Sequence, residues 1–157
     1  MVDWSKVEGD KALDMLIQKA AIEQVNANYC WGLDTRDTEL FLSVFHDDGI
    51  WDFGEAFGTF AGKDAIREGF AATLGMMAEM HHLTADTVLE IDGDGAEMTA
   101  TGRSHAYGRS IFAGADQHHR LVARYQDTYA RRDGKWGFLH RKIEMFPPFP
   151  LPGGGDA

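Results

Sequence analysis

The stretch HLTADTVLEIDGDGAEMTATGRSHAYGR, residues 82–109, decides the fold predicted for this chain. Residues 82–91 and 96–109 contain Thr, Val, Ile and Tyr, which favour strands, and the turn DGDG joins them. Gly and Asp tolerate the positive φ angles that a tight hairpin needs. The stretch therefore predicts two long antiparallel strands that are neighbours in one sheet.

The rest of the second half has the same character. Segments 118–132 and 136–145 also favour strands and flank a second turn, DGK at 133–135. Further upstream, alternation over 50–53 predicts a short strand, with 57–60 as its hairpin partner. We therefore expect a meander of four long strands preceded by a short hairpin.

Helical periodicity dominates the first half. Apolar residues recur at helical spacing over residues 10–31, and the glycine that follows is the predicted stop. A second helix is expected after a turn at 34–37, with Asp37 or Thr38 as its cap. A third helix is expected to open at 62–64.

Helices first and strands afterwards predict an α+β fold, with the helices on one face of a strongly bent antiparallel or mixed sheet. Such a sheet leaves a cavity between the two layers, where small-molecule sites commonly lie. With 157 residues and no linker or repeat, residues 1–157 are expected to form one domain. The Pro- and Gly-rich tail, 147–157, cannot continue a strand, so we expect it to cover the cavity mouth or to contact a partner chain.

Composition narrows the classes of partner. A formal net charge of −10, with no offsetting stripe of Lys and Arg, disfavours nucleic acids and anionic membrane surfaces. No apolar run approaches the roughly 20 residues of a membrane span. The first residues lack the apolar segment of a secretory signal, so the expected location is the cytoplasm. The single cysteine, Cys30, excludes an internal disulfide, and its apolar surroundings indicate core packing.

A few residues are candidates for chemistry. Asp34 sits in the predicted turn, where an aspartate is more often a cap or turn residue than a catalyst. His81 and His82 begin the first long strand, so they point to opposite faces and one of them should face the cavity. Arg141 shares its strand face with apolar residues. A buried arginine needs a carboxylate or a substrate as its partner.

The second long strand leaves two possibilities open. Arg103, His105 and Tyr107 alternate along one of its faces, opposite a set of small residues. If the polar set faces inward, it lines the pocket and binds substrate. If the small set faces inward, the strand offers space instead.

A metal site needs three or four convergent ligands. The combination of residues that comes nearest to this requirement is His82, His105 and Asp34. No metal is expected.

Short motifs along the chain carry a resemblance to a known family. They are AI at 21–22, LDTRD at 33–37, FHDD at 45–48, GTFAG at 58–62, His82 ahead of VLEI at 88–91, and YARRDGKW at 129–136. Their order and spacing resemble the SnoaL-like branch of the nuclear-transport-factor-2-like superfamily, over about residues 12–146. Scytalone dehydratase, bile acid 7α-dehydratase and hexachlorocyclohexane dehydrochlorinase are the enzymes of the branch that the chain resembles. The resemblance implies their cone-shaped α+β barrel, no cofactor, and elimination of water or HCl by proton abstraction.

The resemblance also implies roles for particular residues. The dyad of the family falls on Asp34 and His82, its pocket arginine on Arg141, and the tyrosine of the dehydratases on Tyr29. His82, oriented by Asp34, is expected to act as a general base, while Tyr29 and Arg141 stabilise developing negative charge. Independently of the resemblance, three aromatic residues are candidates for the wall of an aromatic-binding pocket, although core packing is the more common role of such side chains: Trp51, Phe53 and Phe57.

Several functions remain open on this basis. The leading expectation is a cofactor-independent, dehydratase-like lyase that acts on a hydrophobic cyclic or aromatic small molecule. A carbon–carbon lyase that releases formaldehyde from an aromatic diol would use the same base, and an isomerase would bind similar ligands. A non-catalytic ligand-binding or dimerisation module is the alternative from another class. The resemblance further implies a homodimer or homotrimer.

Overall fold

Helices precede the long strands, in the order that the sequence patterns predict. The computed structural model describes residues 8–146. Within them the elements are α1 Gly9–Thr35, α2 Thr38–Ser43, β1 Phe45–Asp52, β2 Thr59–Ala61, α3 Lys63–Met76, β3 Met77–Asp94, β4 Glu97–Phe112, β5 His118–Arg132 and β6 Lys135–Met145. The tail predicted to cover the cavity mouth or a partner chain lies outside the described residues. None of these helices combines the length and the apolar character that crossing a lipid bilayer requires.

The six strands of the described residues form one mixed sheet in the order β2-β1-β6-β5-β4-β3. β1 and β6 run parallel, and every other neighbouring pair is antiparallel. The two predicted turns close the β3–β4 and β5–β6 hairpins, with Gly95 at φ 71° and Gly134 at φ 77°. β2 and β3 form the edges of an open sheet. The predicted α+β fold, with helices packed on a mixed sheet, is confirmed.

The core lies between the helices and the inner face of the sheet. From α1, Ile22, Tyr29 and Leu33 point into it, and each is at most 3% exposed. The ring of Phe41 stacks on that of Phe70 with centroids 4.2 Å apart, which joins α2 to α3. Along β4 and β5 buried and exposed positions alternate, as expected for strands with one face on the core and one in solvent.

The opposite side of the sheet is called the outer face below. It carries Leu83 of β3, the alternating residues Arg103, His105 and Tyr107 of β4, and Val122 of β5, all of them exposed. The small residues of β4 point the other way, toward the helices. Two of these small residues, Ser104 and Ala106, are buried at 5% and 1% exposure.

The end of α1 differs from the prediction. The helix does not stop at Gly32 but continues to Thr35, and Arg36 ends it with φ 61° in the left-handed region. A Cβ at Gly32 would lie 2.7 Å from the backbone nitrogen of Phe41, so this glycine permits close packing of α2 rather than ending the helix. Asp34 consequently lies in the last turn of α1. Asp37 caps α2 by accepting a hydrogen bond from the Leu40 amide at 2.9 Å, one of the two caps expected.

Arg36 ties the end of α1 to the junction between α3 and β3. Its guanidinium donates hydrogen bonds to the carbonyl oxygens of Leu74 at 3.3 Å and Ala78 at 3.1 Å, and also to that of Met77. α3 has no basic residue in its own last turn, and its final carbonyls need donors. A cation at this end also interacts favourably with the helix dipole. The contact fixes the start of β3, the strand that carries His82, against α1.

Candidate active site

Asp34 and His82 form the centre of the candidate site. The Nδ1 atom of His82 lies 2.6 Å from Oδ1 of Asp34, and the backbone N–H of His82 donates to Oδ2 at 2.8 Å. The side chain of His82 is 11% exposed and that of Asp34 is 16% exposed. An ionised carboxylate only accepts hydrogen bonds, so Nδ1 is the protonated nitrogen. Nε2 is then left as the basic atom, available to a ligand.

The neighbouring histidine shows why strand parity matters here. His81 points to the outer face, where it is exposed and contacts Glu79 at 3.1 Å. His82 points inward, to the cavity between sheet and helices. The prediction that the two histidines face opposite sides is confirmed, and the inward one is His82.

The cavity beside His82 has a volume of about 90 Å³. Its wall is mostly apolar and includes Leu33, Trp51, Phe53, Met80, Leu121 and Ile143. A few polar side chains also reach it, among them those of Tyr29, Ser110 and Tyr125. Such a small, apolar space suits a compact and uncharged ligand with few polar atoms.

Tyr29 reaches the cavity from α1 and is 1% exposed. Its hydroxyl oxygen accepts a hydrogen bond from Nε1 of Trp51 at 2.9 Å. Burial raises the pKa of Tyr29 far above its ordinary value, although the nearby Arg141 charge opposes this. The phenol therefore stays protonated and keeps its own hydrogen for donation.

Arg141 does not line this cavity but lies behind it, fully buried. Its guanidinium stacks against the rings of Tyr29 and Tyr125, with Cζ 4.2 and 4.3 Å from their centroids. Nε and Nη2 donate to the two carboxylate oxygens of Asp127 at 3.0 and 2.8 Å, and Nη2 also donates to Asn26. Burial disfavours its charge, but Asp127 outweighs this effect and raises the pKa of Arg141. The carboxylate partner that the sequence leads one to expect is therefore Asp127.

Four of the residues predicted to bind substrate lie elsewhere. Arg103, His105 and Tyr107 belong to the outer face, because the inward positions of β4 hold the small side chains, so their placement in the same pocket as His82 is wrong. Arg103 and His105 instead border an open depression of about 800 Å³ on that face. Phe57 lies in the β1–β2 loop and does not line the cavity. Trp51 and Phe53 do line it.

The remaining candidates concern metals and the cysteine. His105 lies on the outer face, 3.6 Å from Asp86, so it does not converge with Asp34 and His82. Among residues 8–146, no three His, Cys, Asp or Glu side chains are arranged to hold a metal ion. Cys30 is buried in the hydrophobic core, as its surroundings in the sequence indicate.

Tyr125, Asp127 and Asn26 are the site residues that the sequence analysis missed. Tyr125 and Asp127 lie on β5 two residues apart, so they share the inward face of that strand. The repeat Tyr-x-Asp-x-Tyr over 125–129 is the signal that points to them. Asn26 has no comparable signal, since a buried asparagine in a helix looks like any surface amide in sequence.

The structure defines an α+β protein with a histidine–aspartate pair beside a small apolar cavity. A sequence profile of the SnoaL-like domain matches residues 14–142. The chain belongs to this SnoaL-like family. No curated protein sequence matches it.

Solved structures place the fold among enzymes and proteins of unknown function. The hexachlorocyclohexane dehydrochlorinase LinA type 3 from Novosphingobium barchaimii is 25% identical, over 92% of this chain and 97% of its own, with a TM-score of 0.75. A protein of unknown function from Mycobacterium tuberculosis is 28% identical, over 85% and 74% of the two chains, with a TM-score of 0.71. A candidate scytalone dehydratase from Novosphingobium aromaticivorans shares the fold at 21% identity, over 83% and 85%, with a TM-score of 0.75. The solved relatives thus include an enzyme of the lyase type.

Proposed function

We propose that this protein is a cofactor-independent lyase in which His82 removes a proton from carbon. The observation that supports this most directly is the two-point contact of Asp34 with the imidazole and the amide of His82. A carboxylate at Nδ1 holds the ring in one tautomer and stabilises the imidazolium that forms when Nε2 takes up a proton. The base faces a largely apolar cavity, where charges interact more strongly than in water.

A dehydration at this site balances without any added reagent. Nε2 of His82 removes a proton from a ring carbon, and the C–H electron pair forms the new double bond. The C–O electron pair leaves with the neighbouring hydroxyl, which takes a proton from the imidazolium, directly or through Tyr29, and departs as water. The phenol of Tyr29 is suited to this relay because burial keeps it protonated. The enzyme is regenerated in its starting protonation state.

The substrate we propose is a hydrophobic cyclic or aromatic small molecule. Apolar and aromatic side chains form most of the cavity wall, including Trp51 and Phe53. The net charge of −10 also disfavours strongly anionic substrates. The family membership and the dehydrochlorinase among the solved relatives support elimination as the reaction class.

The test is product analysis by mass spectrometry, on a panel of hydroxylated and chlorinated ring compounds without added metal or cofactor. Wild type is compared with His82→Ala and with His81→Ala, the adjacent histidine on the outer face. General base catalysis contributes about 10²–10⁴-fold, so His82→Ala should lose most of the turnover while His81→Ala retains it.

The products distinguish the reaction classes. Loss of one water or one HCl supports elimination, loss of formaldehyde indicates the carbon–carbon lyase, and a product of unchanged mass indicates an isomerase. Binding without turnover across the panel, or a folded His82→Ala variant with normal turnover, would contradict the assignment.

A further inference from the structure

Tyr125 presents an unpaired phenol to the cavity that holds His82. It points inward from β5, is 1% exposed, and lines the same cavity as Tyr29. Among residues 8–146 its hydroxyl has no hydrogen-bond partner, and only burial and nearby charges act on its titration. The feature is unusual, because buried tyrosine hydroxyls ordinarily find a partner.

The other two buried tyrosines of this region show the ordinary situation. Tyr29 accepts a hydrogen bond from Trp51. Tyr129 donates to Asp127 at 2.8 Å and contacts the Asn26 side chain. The hydroxyl of Tyr125 instead opens to the cavity that its side chain lines. A ligand atom in the cavity is the natural partner for the hydroxyl of Tyr125.

Packing fixes the ring of Tyr125 in place. The Arg141 guanidinium lies over one of its faces, with Cζ 4.3 Å from the ring centroid. The ring of Tyr29 meets it edge-on, with centroids 6.0 Å apart and an interplanar angle of 77°. Burial also raises the pKa of Tyr125 well above its ordinary value, so the group stays a neutral donor. A fixed donor of this kind loses little freedom when it binds an acceptor.

We propose that Tyr125 is a substrate-binding residue that donates a hydrogen bond to an oxygen on the substrate ring. The site then takes rings that carry a carbonyl or hydroxyl oxygen in preference to rings of similar shape without one. This substrate class rests on the proposed function. When His82 removes a proton beside a carbonyl, negative charge moves onto that oxygen. The hydrogen bond from Tyr125 strengthens at that moment and so favours the transition state.

The proposal is tested by binding, with cyclohexanone and methylenecyclohexane as probes. These rings have similar shape and differ in a carbonyl oxygen against a methylene carbon. Their dissociation constants are measured by NMR titration for wild type, Tyr125→Phe and Tyr129→Phe. Wild type should bind the ketone about tenfold more tightly, the scale of one additional hydrogen bond. Tyr125→Phe should abolish this preference and bind methylenecyclohexane as wild type does.

Tyr129→Phe is the matched control, since it removes a buried hydroxyl that does not line the cavity. It should lower the melting temperature and keep the preference for the ketone. A preference that survives in Tyr125→Phe overturns the proposal, and so does a wild-type protein that binds both probes equally or neither of them.

A third variant separates this inference from the proposed function. His82→Ala should keep the ketone preference, because the hydrogen bond comes from Tyr125. If the compound panel shows no turnover while Tyr125→Phe still loses the preference, the assignment of Tyr125 stands and the lyase assignment fails. If turnover depends on His82 while Tyr125→Phe keeps the preference, the lyase assignment stands and the assignment of Tyr125 fails.

Discussion

At the scale of single residues, both carboxylate oxygens of Asp34 are occupied by His82. Oδ1 contacts the imidazole and Oδ2 accepts the backbone amide, so the carboxylate is held in one orientation. Asp37, three residues later, performs a different task as the cap of α2. The two aspartates of one short motif therefore serve separate purposes.

Replacing Asp34 by asparagine should remove the negative charge while keeping size and shape. We expect Asp34→Asn to lower turnover by at least about 10²-fold, because the imidazolium loses its stabilising partner and the tautomer is no longer fixed. Nitrogen NMR of the His82 ring reports the tautomer directly. Asp37→Asn is the control: asparagine caps helices as well as aspartate does, so this variant should keep both rate and stability. An Asp34→Asn variant with wild-type rate and tautomer would contradict the role given to Asp34.

The role of a residue can be predicted from sequence where the evidence for it lies in neighbouring residues of the chain. Alternation along β3 indicates that one of the adjacent histidines faces inward, and the structure brings it to Asp34, 48 residues away along the chain. The resemblance to the SnoaL-like family predicts that Asp34 and His82 pair, whereas periodicity alone does not. Arg141 lies among apolar residues of its strand, which predicts a buried cation. The sequence does not predict its partner, because Asp127 lies beside Arg141 only through the register between β5 and β6. The β4 alternation leaves two faces to choose from, and only the tertiary structure, which buries Ser104 and Ala106, decides between them.

At the scale of elements, the junction of α1 with α2 departs most from the expectation. A glycine after a periodic apolar stretch is the ordinary mark of a helix end. Here Gly32 is an interior position of α1 whose missing side chain makes room for the backbone of Phe41. Because the helix runs on to Thr35, Asp34 gains the rigid setting of a helical turn.

A pair of glycine substitutions tests whether Gly32 is needed for the close packing of α1 and α2. Gly32→Ala should destabilise the protein by about 1–3 kcal/mol, since the new methyl group would overlap with the Phe41 backbone. Gly75→Ala, in the last turn of α3 with nothing within 4 Å of the added Cβ, should stabilise it by about 0.5–1 kcal/mol. Urea denaturation of both variants beside wild type gives the two free energies of unfolding. Equal stabilities for Gly32→Ala and wild type would show that Gly32 has no packing role.

At the scale of the whole molecule, the outer face carries an apolar row across three strands. Leu83, Tyr107 and Val122 are direct cross-strand neighbours, and they are 65%, 50% and 44% exposed. Acidic residues outnumber basic ones by ten in the whole chain, yet Arg109, Arg120 and Arg124 lie next to this row on the same face. Two copies that meet through this face therefore avoid much of the repulsion between their acidic surfaces.

We propose that the outer face joins copies of this chain into a homodimer or homotrimer. Light scattering at micromolar concentration should give a multiple of the mass of one chain, and Leu83→Lys should shift the protein toward the monomer. Leu13→Lys is the matched control, because Leu13 is similarly exposed at 60% but lies on α1. A monomeric wild type would refute the proposal. Dissociation by Leu13→Lys alone would also contradict it, because the interface would then lie on the helices.

The contact between Asp34 and the His82 amide has a consequence beyond chemistry. β3 is an edge of the open sheet, and the amides of such an edge are points where a foreign strand can add and start aggregation. Oδ2 of Asp34 occupies one of these amides, beside the histidine. The same side chain that orients His82 therefore also closes one point of strand addition. Of the replacements at position 34, asparagine keeps an acceptor for this amide, whereas alanine leaves the amide free to pair with a foreign strand.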